Sequence, residues 1–169
     1  MDNLRVTTKL TFEDFRKVNF YFLYRKTGTK VSLAIGAILL LIIGFSYLTE
    51  MPFFNQFPAI PFALALAMTI LPPYSVFRTA RKNYESNKII NEKIEYEFDK
   101  DQISISGESF HSKFSWDKIY ELSTTKSWFL IWQTRQVANV IPRRDISDNQ
   151  IETIKGLVKD IPQLKKSFK

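Results

Sequence analysis

The side chains able to do chemistry in this chain are few and scattered. It has one histidine and no cysteine, so disulfides, thiol nucleophiles and thiolate metal sites are excluded. The histidine, His111, lies between Phe110 and Ser112 in an alternating segment, which predicts a solvent-facing strand residue rather than a metal ligand. Acids between Glu92 and Asp101 also alternate with apolar residues, a pattern typical of the exposed face of a strand. Without a glycine-rich phosphate loop or a G-x-S-x-G motif, we expect no enzyme, no metal and no cofactor.

Two groups of residues are candidates for contact with a lipid or a partner. The three tryptophans, Trp116, Trp128 and Trp132, form either an aromatic platform for a ligand or part of the core and membrane-facing rim of a small domain. The pair Arg143 and Arg144 has the charge and bidentate geometry to bind a phosphate or a lipid headgroup. The alternative is an exposed pair that follows the positive-inside bias near a bilayer.

Two long uncharged runs predict where these residues are held. The first is the nineteen residues Val31–Thr49, about 28 Å long as a helix at 1.5 Å per residue, against a hydrocarbon core of roughly 30 Å. After a turn at Glu50 that includes Pro52, the second run extends from residue 51 to Phe77. We therefore expect a transmembrane hairpin over residues 31–77, with spans at about 31–48 and 59–77.

The charge distribution predicts the orientation of this hairpin. The net charge of +7 divides into +4 over residues 1–30, −1 in the turn and +4 over residues 78–169. Basic residues thus flank both outer ends, which places both termini in the cytoplasm of a cell (inner) membrane protein. The basic residues are interleaved with acids and form no nucleic-acid-binding motif, so anionic headgroups are the expected partner and nucleic acid is not.

Residues 1–30 combine a strand with an interfacial helix. Leu4–Leu10 alternates with period two, as in a half-buried strand, and Thr11 then has the position of a helix N-cap. Five apolar and aromatic residues, 20–24, follow just before the basic residues and indicate a helix on or entering the interface. The alternative is that these rings pack against the soluble domain.

Small residues and prolines mark the two spans. Gly36 and Gly44 could allow close approach of the second span. Pro61 suits the first turn of the second span. Pro72-Pro73 must interrupt its hydrogen bonding, giving either a kink at the interface or a mobile hinge.

The rest of the chain predicts an α+β domain. Residues 78–94 lack glycine and proline and predict a helical connector. Over residues 95–141, short alternating segments separated by tight turns predict an antiparallel meander of about six strands. Ser147 and Gln150 form a capping-box pattern ahead of an amphipathic helix that ends near Pro162.

The order of these motifs resembles the YcxB-like protein family, small bacterial membrane proteins with two spans and a domain similar to pleckstrin-homology (PH) folds. The residues that carry the resemblance are Tyr96-Glu97-Phe98, Ile103-Ser104-Ile105, Ser115-Trp116-Asp117-Lys118-Ile119, Trp128–Trp132 and Ile141-Pro142-Arg143-Arg144. The resemblance implies a PH-like domain at residues 95–169. It implies no catalytic residue and no ligand.

We therefore expect a membrane α+β protein: a two-helix hairpin with a cytoplasmic, antiparallel PH-like sheet capped by the C-terminal helix. We further expect the strand Leu4–Leu10 to pair with the sheet that follows residue 95. The expected function is non-catalytic, with the PH-like domain binding a protein partner or a lipid surface. The alternative is an immunity-type or transport-accessory membrane protein that acts through its hairpin.

Overall fold

The computed structural model describes residues 4–49, 54 and 56–168. These residues form two compact units. The sheet unit comprises the chain up to Asp14 and from Ser86 onward, and the hairpin unit comprises Phe15–Glu85. The turn expected at Glu50 and Pro52 lies outside the described residues. The helices are α1 (Phe12–Arg25), α2 (Thr27–Leu48), α3 (Ala59–Ser86) and α4 (Asp148–Leu157).

The hairpin unit contains two helices that are long and apolar enough to cross a membrane, α2 and α3. Pro61 lies in the first turn of α3, as expected, and α3 continues through Pro72 and Pro73 to Ser86. The expected connector at residues 78–94 is therefore the last part of α3, followed by a short 3₁₀ helix, Lys88–Asn91.

Close approach of the two long helices depends on one of the two expected glycines. A Cβ on Gly36 would lie 2.8 Å from Thr69 Cγ2 and 3.1 Å from the backbone oxygen of Ala65, so no larger residue fits there without movement. A Cβ on Gly44 would meet nothing within 4 Å. The prediction of close approach is confirmed for Gly36 and is wrong for Gly44.

The sheet unit contains eight strands among the described residues. They are β1 (Leu4–Thr8), β2 (Ile94–Phe98), β3 (Gln102–Ser106), β4 (His111–Ser115), β5 (Glu121–Thr124), β6 (Trp128–Trp132), β7 (Ala138–Pro142) and β8 (Lys165–Ser167). They form two sheets, ordered β1-β2-β3-β4 and β7-β6-β5-β8. The pairing is antiparallel except for β8, which runs parallel to β5.

Two features of the sheets differ from the expected single meander. A 3₁₀ turn, Trp116–Lys118, follows β4, and the next strand, β5, belongs to a second sheet. The added strand β8 has the sequence Lys165-Lys166-Ser167, which lacks the alternation that would mark it as a strand.

The pairing of β1 with β2 confirms that the N-terminal strand joins the later sheet. Leu4 lies opposite Phe98 and Thr8 lies opposite Ile94. The chain therefore leaves the sheet at Thr8 and, after the whole hairpin unit, returns at the neighbouring position Ile94. Burial explains the pairing, because Val6 on β1 and its partner Tyr96 are each 2% exposed.

One apolar core holds the two sheets and the C-terminal helix together. Phe98 lies near the centre, with its ring centroid 6.5 Å from that of Trp116 and 6.2 Å from that of Phe129. From α4, Ile151 and Ile154 join the same cluster. The capping box predicted for this helix is confirmed, since Ser147 Oγ accepts from the Gln150 backbone N–H and the Gln150 side chain accepts in return.

Candidate functional site

The three tryptophans are buried side chains of the sheet unit. Trp116, Trp128 and Trp132 are 3%, 6% and 1% exposed. The indole of Trp116 donates to the backbone oxygen of Asp99 at 3.0 Å, and that of Trp132 donates to Ser123 Oγ at 2.9 Å. None of the three presents its ring as a surface for a ligand, and Trp116 belongs to the apolar core cluster.

Arg144 is engaged by a carboxylate from the N-terminal segment. Its Nη1 and Nη2 donate to Asp14 Oδ1 and Oδ2 at 2.9 and 2.5 Å, a bidentate pair between residues 130 positions apart. The Arg144 Nε also lies 3.5 Å from Asp145 Oδ1. Asp145 in turn accepts from Thr8 Oγ1 at 2.6 Å. The 3₁₀ turn Arg143–Asp145 is therefore joined to both β1 and the first turn of α1.

Asp14 has the features of a positioned, ionised carboxylate. The residue is 7% exposed, and its backbone N–H and Oδ2 form a reciprocal capping pair with Thr11, as expected for an N-cap at that position. The hydrogen bonds from Arg144, followed by those from Thr11, hold the pKa of Asp14 far below its usual value although partial burial opposes the shift. This carboxylate therefore stays charged throughout the physiological range.

Arg143 is engaged within its own turn. Its Nη1 donates to the backbone oxygen of Ile146 at 3.1 Å, and its Nη2 pairs with the carboxylate of Asp148 in the first turn of α4. Both arginines expected to meet a phosphate thus already bind carboxylates of the same unit. Arg144 uses both of its terminal nitrogens on one carboxylate, so its geometry joins chain segments within the unit.

The two edges of the first sheet differ in how they are covered. At the β1 edge, the Gln150 side chain donates to the backbone oxygen of Arg5 at 3.3 Å, and Thr8 donates to Asp145. At the β4 edge, no strand of the described chain pairs with the outer side of His111–Ser115. An open edge of this kind is a template for a further strand.

The register shows which backbone groups of β4 face outward. The Trp116 N–H donates to the oxygen of Asp101, and the Gly107 N–H donates to the oxygen of Phe110. The pairs Asp101/Trp116 and Gly107/Phe110 are therefore hydrogen-bonded, and they lie at the two ends of the β3–β4 ladder. In an antiparallel ladder, hydrogen-bonded and non-hydrogen-bonded pairs alternate. The residues that direct their N–H and C=O groups away from β3 are therefore His111, Lys113 and Ser115.

The side chains of these three residues are also exposed. The Nδ1 of His111 lies 2.7 Å from Ser106 Oγ, so its placement on the solvent face of a strand is confirmed. The described residues contain no group of three or more His, Cys, Asp or Glu side chains that could hold a metal ion. The chemistry available at this edge is main-chain hydrogen bonding with one cation, Lys113.

Sequence reasoning did not identify this edge. The alternation of Phe110, Ser112 and Phe114 with the residues between them predicts which side chains share a face of β4. It does not predict that β4 lies at the edge of the sheet, because that depends on the order of the strands. Of the pair Asp14 and Arg144, only Asp14 had a local signal in the sequence, since the Thr11-x-x-Asp14 spacing indicates a helix start. Nothing local to Arg144 indicates its partner.

Comparison with known proteins leads to one family. No curated protein and no solved structure matches the chain. The family model described as YcxB-like protein matches residues 98–158, which span the segment from the end of β2 through α4. The resemblance carried by the S-W-D-x-I and I-P-R-R motifs is therefore confirmed, and residues 98–158 are similar to the YcxB-like family.

Proposed function

We propose that this is a non-catalytic, multi-pass protein of the inner membrane whose cytoplasmic, PH-like domain binds a protein partner. Two helices long enough to span a bilayer support the anchor. The two sheets, which share one core with a C-terminal helix, support the PH-like description.

The topology of the sheet unit supports a cytoplasmic location for both termini. Thr8 and Ile94 are partners in adjacent strands, so the segments before and after the hairpin must lie on the same side of the membrane. Both segments carry a net charge of +4, which the positive-inside rule assigns to the cytoplasm.

The observation that carries the proposal is the open edge at β4. Its outward backbone groups at His111, Lys113 and Ser115 can add an extended segment of another protein as a fifth strand. Two copies pairing antiparallel about the middle of β4 would place Lys113 against Lys113, and like charges directly opposite are destabilising. A different protein with an acidic residue opposite Lys113 is the occupant that this edge fits.

A lipid surface is the weaker alternative for this domain. The basic pair expected to read a headgroup, Arg143 and Arg144, is already paired with Asp148 and Asp14. Releasing either arginine to a phosphate would leave a carboxylate without its cation, and for the nearly buried Asp14 this is costly.

The test uses a photo-crosslinking residue at His111 in the full-length protein in native membranes. We expect a discrete protein adduct at this position and none from the same probe at Asp160, which is exposed and lies outside β4. The decisive variant is Lys113→Pro, because the Lys113 N–H faces outward and proline removes it without breaking a β3 bond. Lys113→Gln is its control.

We expect the adduct to disappear with Lys113→Pro and to persist, at reduced yield, with Lys113→Gln. An adduct of unchanged yield with Lys113→Pro, in a protein whose tryptophan fluorescence is native, would refute strand addition. If no adduct forms at His111, or if the same adduct also forms at Asp160, the result would likewise count against partner binding at this edge.

A further inference from the structure

The end of α3 carries a groove that is distinct from the β4 edge and from the arginine pair. It begins at the last residues of the uncharged run and continues along the first charged turns of the helix. Its volume is about 340 Å³, and it is lined by Tyr74, Phe77, Arg78, Arg81, Lys82 and Glu85.

Cations outnumber anions in this groove by three to one. Glu85 accepts from the Nε of Arg81 at 2.9 Å and so offsets one cation. Arg78 is exposed, and the described residues give its guanidinium no carboxylate partner. A guanidinium in this state has its planar set of donors available for a phosphate.

Apolar rings lie at the other end of the same groove. Tyr74 is 57% exposed and Phe77 is 41% exposed, although both are large side chains of an apolar helix. Aromatic rings concentrate at the level of lipid headgroups, and cations immediately beyond them meet the phosphates. The groove thus presents an apolar section and a cationic section in the order in which a lipid presents its acyl chains and its phosphate.

Packing within the hairpin unit leaves this face of α3 uncovered. On a different face, Tyr84 meets Phe15 of α1 with ring centroids 6.0 Å apart, and Ala80 is buried. At about 100° per residue, the Ala80/Tyr84 face lies roughly a third of a turn from the face of Arg78 and Arg81. Phe77, seven residues before Tyr84, lies close to Tyr84 around the helix but is still 41% exposed. The contact with α1 and the groove can therefore coexist.

We propose that this groove binds one anionic membrane lipid, with Arg78 and Arg81 on the phosphate and with Tyr74 and Phe77 against the glycerol and the first acyl carbons. The proposal rests on the proposed insertion of α3 into a membrane and is independent of partner binding at β4. Charge complementarity and the position of the groove at the end of the apolar run select a lipid as the occupant.

The experiment measures lipid binding to the purified full-length protein in detergent by native mass spectrometry. The probes are phosphatidylglycerol and phosphatidylcholine with the same acyl chains, and inorganic phosphate is added in a third arm. The variant is Arg78→Gln with Arg81→Gln. Its matched control is Lys26→Gln with Lys30→Gln, which removes two exposed cations beside the first span.

We expect phosphatidylglycerol to bind in preference to phosphatidylcholine and to resist competition by millimolar phosphate. Each cation near an anionic surface contributes about fivefold, so the Arg78/Arg81 variant should bind phosphatidylglycerol roughly 25-fold more weakly. The Lys26/Lys30 variant should lose less than about threefold in affinity for phosphatidylglycerol. Glu85→Gln, which frees Arg81, should bind phosphatidylglycerol more tightly than wild type.

Equal losses in the two double variants would overturn the proposal, since they would indicate diffuse charge rather than a site. Equal binding of the two lipids, or displacement by inorganic phosphate, would also overturn it. Carbonate extraction of native membranes distinguishes failure of the groove proposal from failure of the proposed insertion of α3 into the membrane. A protein that stays in the membrane without lipid preference refutes only the groove, whereas a protein that is extracted refutes the insertion of α3 as well.

Discussion

Replacing Asp14 by asparagine should destabilise the sheet unit, although Asp14 is not part of its apolar core. The substitution keeps the size of the side chain and removes the charge that binds both terminal nitrogens of Arg144, at 2.9 and 2.5 Å. Hydrogen bonds to charged groups contribute about 1.5–3 kcal/mol to stability. The Asp14 side chain is 10% exposed and the Arg144 side chain is 51% exposed, so solvent screens one partner. We therefore expect a cost of about 2 kcal/mol in the free energy of unfolding.

Urea unfolding of the full-length protein in detergent measures this cost directly. The chain has three tryptophans, all buried in the sheet unit, so their fluorescence reports the unfolding of that unit: Trp116, Trp128 and Trp132. With a slope of about 1.5 kcal/mol per molar urea, a loss of about 2 kcal/mol lowers the midpoint by about 1.3 M. The matched control is Asp160→Asn, which neutralises an exposed acid of the same unit.

A double-mutant cycle with Arg144→Gln isolates the pair. We expect a coupling energy between Asp14 and Arg144 of about 1–2 kcal/mol, so that the double variant is little worse than the more damaging single variant. If Asp14→Asn shifts the midpoint no more than Asp160→Asn does, the pair does not stabilise the fold and the reasoning fails. Strictly additive single effects would refute the direct interaction.

Three further perturbations have defined outcomes. The pKa of Asp14 is lowered in the folded state, so its contribution to the free energy of unfolding is complete above its ordinary pKa near 4 and is lost as the pH falls toward the folded pKa. The difference in urea midpoint between wild type and Asp14→Asn should therefore narrow between pH 5 and pH 3. A constant difference would contradict this assignment. Gly36→Ala should lower the free energy of unfolding by about 1–3 kcal/mol in an SDS titration followed by far-UV circular dichroism, because its Cβ would lie 2.8 Å from Thr69 Cγ2. Gly44→Ala should cost nothing. Equal effects of the two substitutions would show that Gly36 does not set the helix contact. Ser147→Ala removes the acceptor for the Gln150 N–H and should lower stability by about 1 kcal/mol in the urea assay, and an unchanged midpoint would mean that the cap does not stabilise α4.

Local patterns were sufficient to predict most elements of this fold. The strand at β1, the N-cap at Thr11, the two apolar helices and the capping box at Ser147 each have a signal within a few residues. The pairing of β1 with β2 was predictable too, because a hairpin returns the chain to the side it left and β1 has an apolar face to bury.

Features that depend on distant partners were not predictable. Arg144 and Asp14 are 130 positions apart, and neither has a neighbour that indicates the other. Trp116 was a candidate for ligand contact because a tryptophan in a strand-rich segment fits a core or a binding surface equally well, and only its 3% exposure separates the two. The division into two sheets depends on which strands pair, and no periodicity in the sequence indicates that.

The most direct test of the central claim is the sidedness of the two segments that build the sheet unit. Single cysteines can be introduced into this cysteine-free chain at Lys9, Lys113 and Gln56, which are all exposed. In sealed right-side-out vesicles, we expect an impermeant maleimide to label Gln56→Cys, and to label Lys9→Cys and Lys113→Cys only after permeabilisation. Labelling of Lys9→Cys in sealed vesicles while Lys113→Cys stays protected would place β1 and β4 on opposite sides of the membrane and contradict the account.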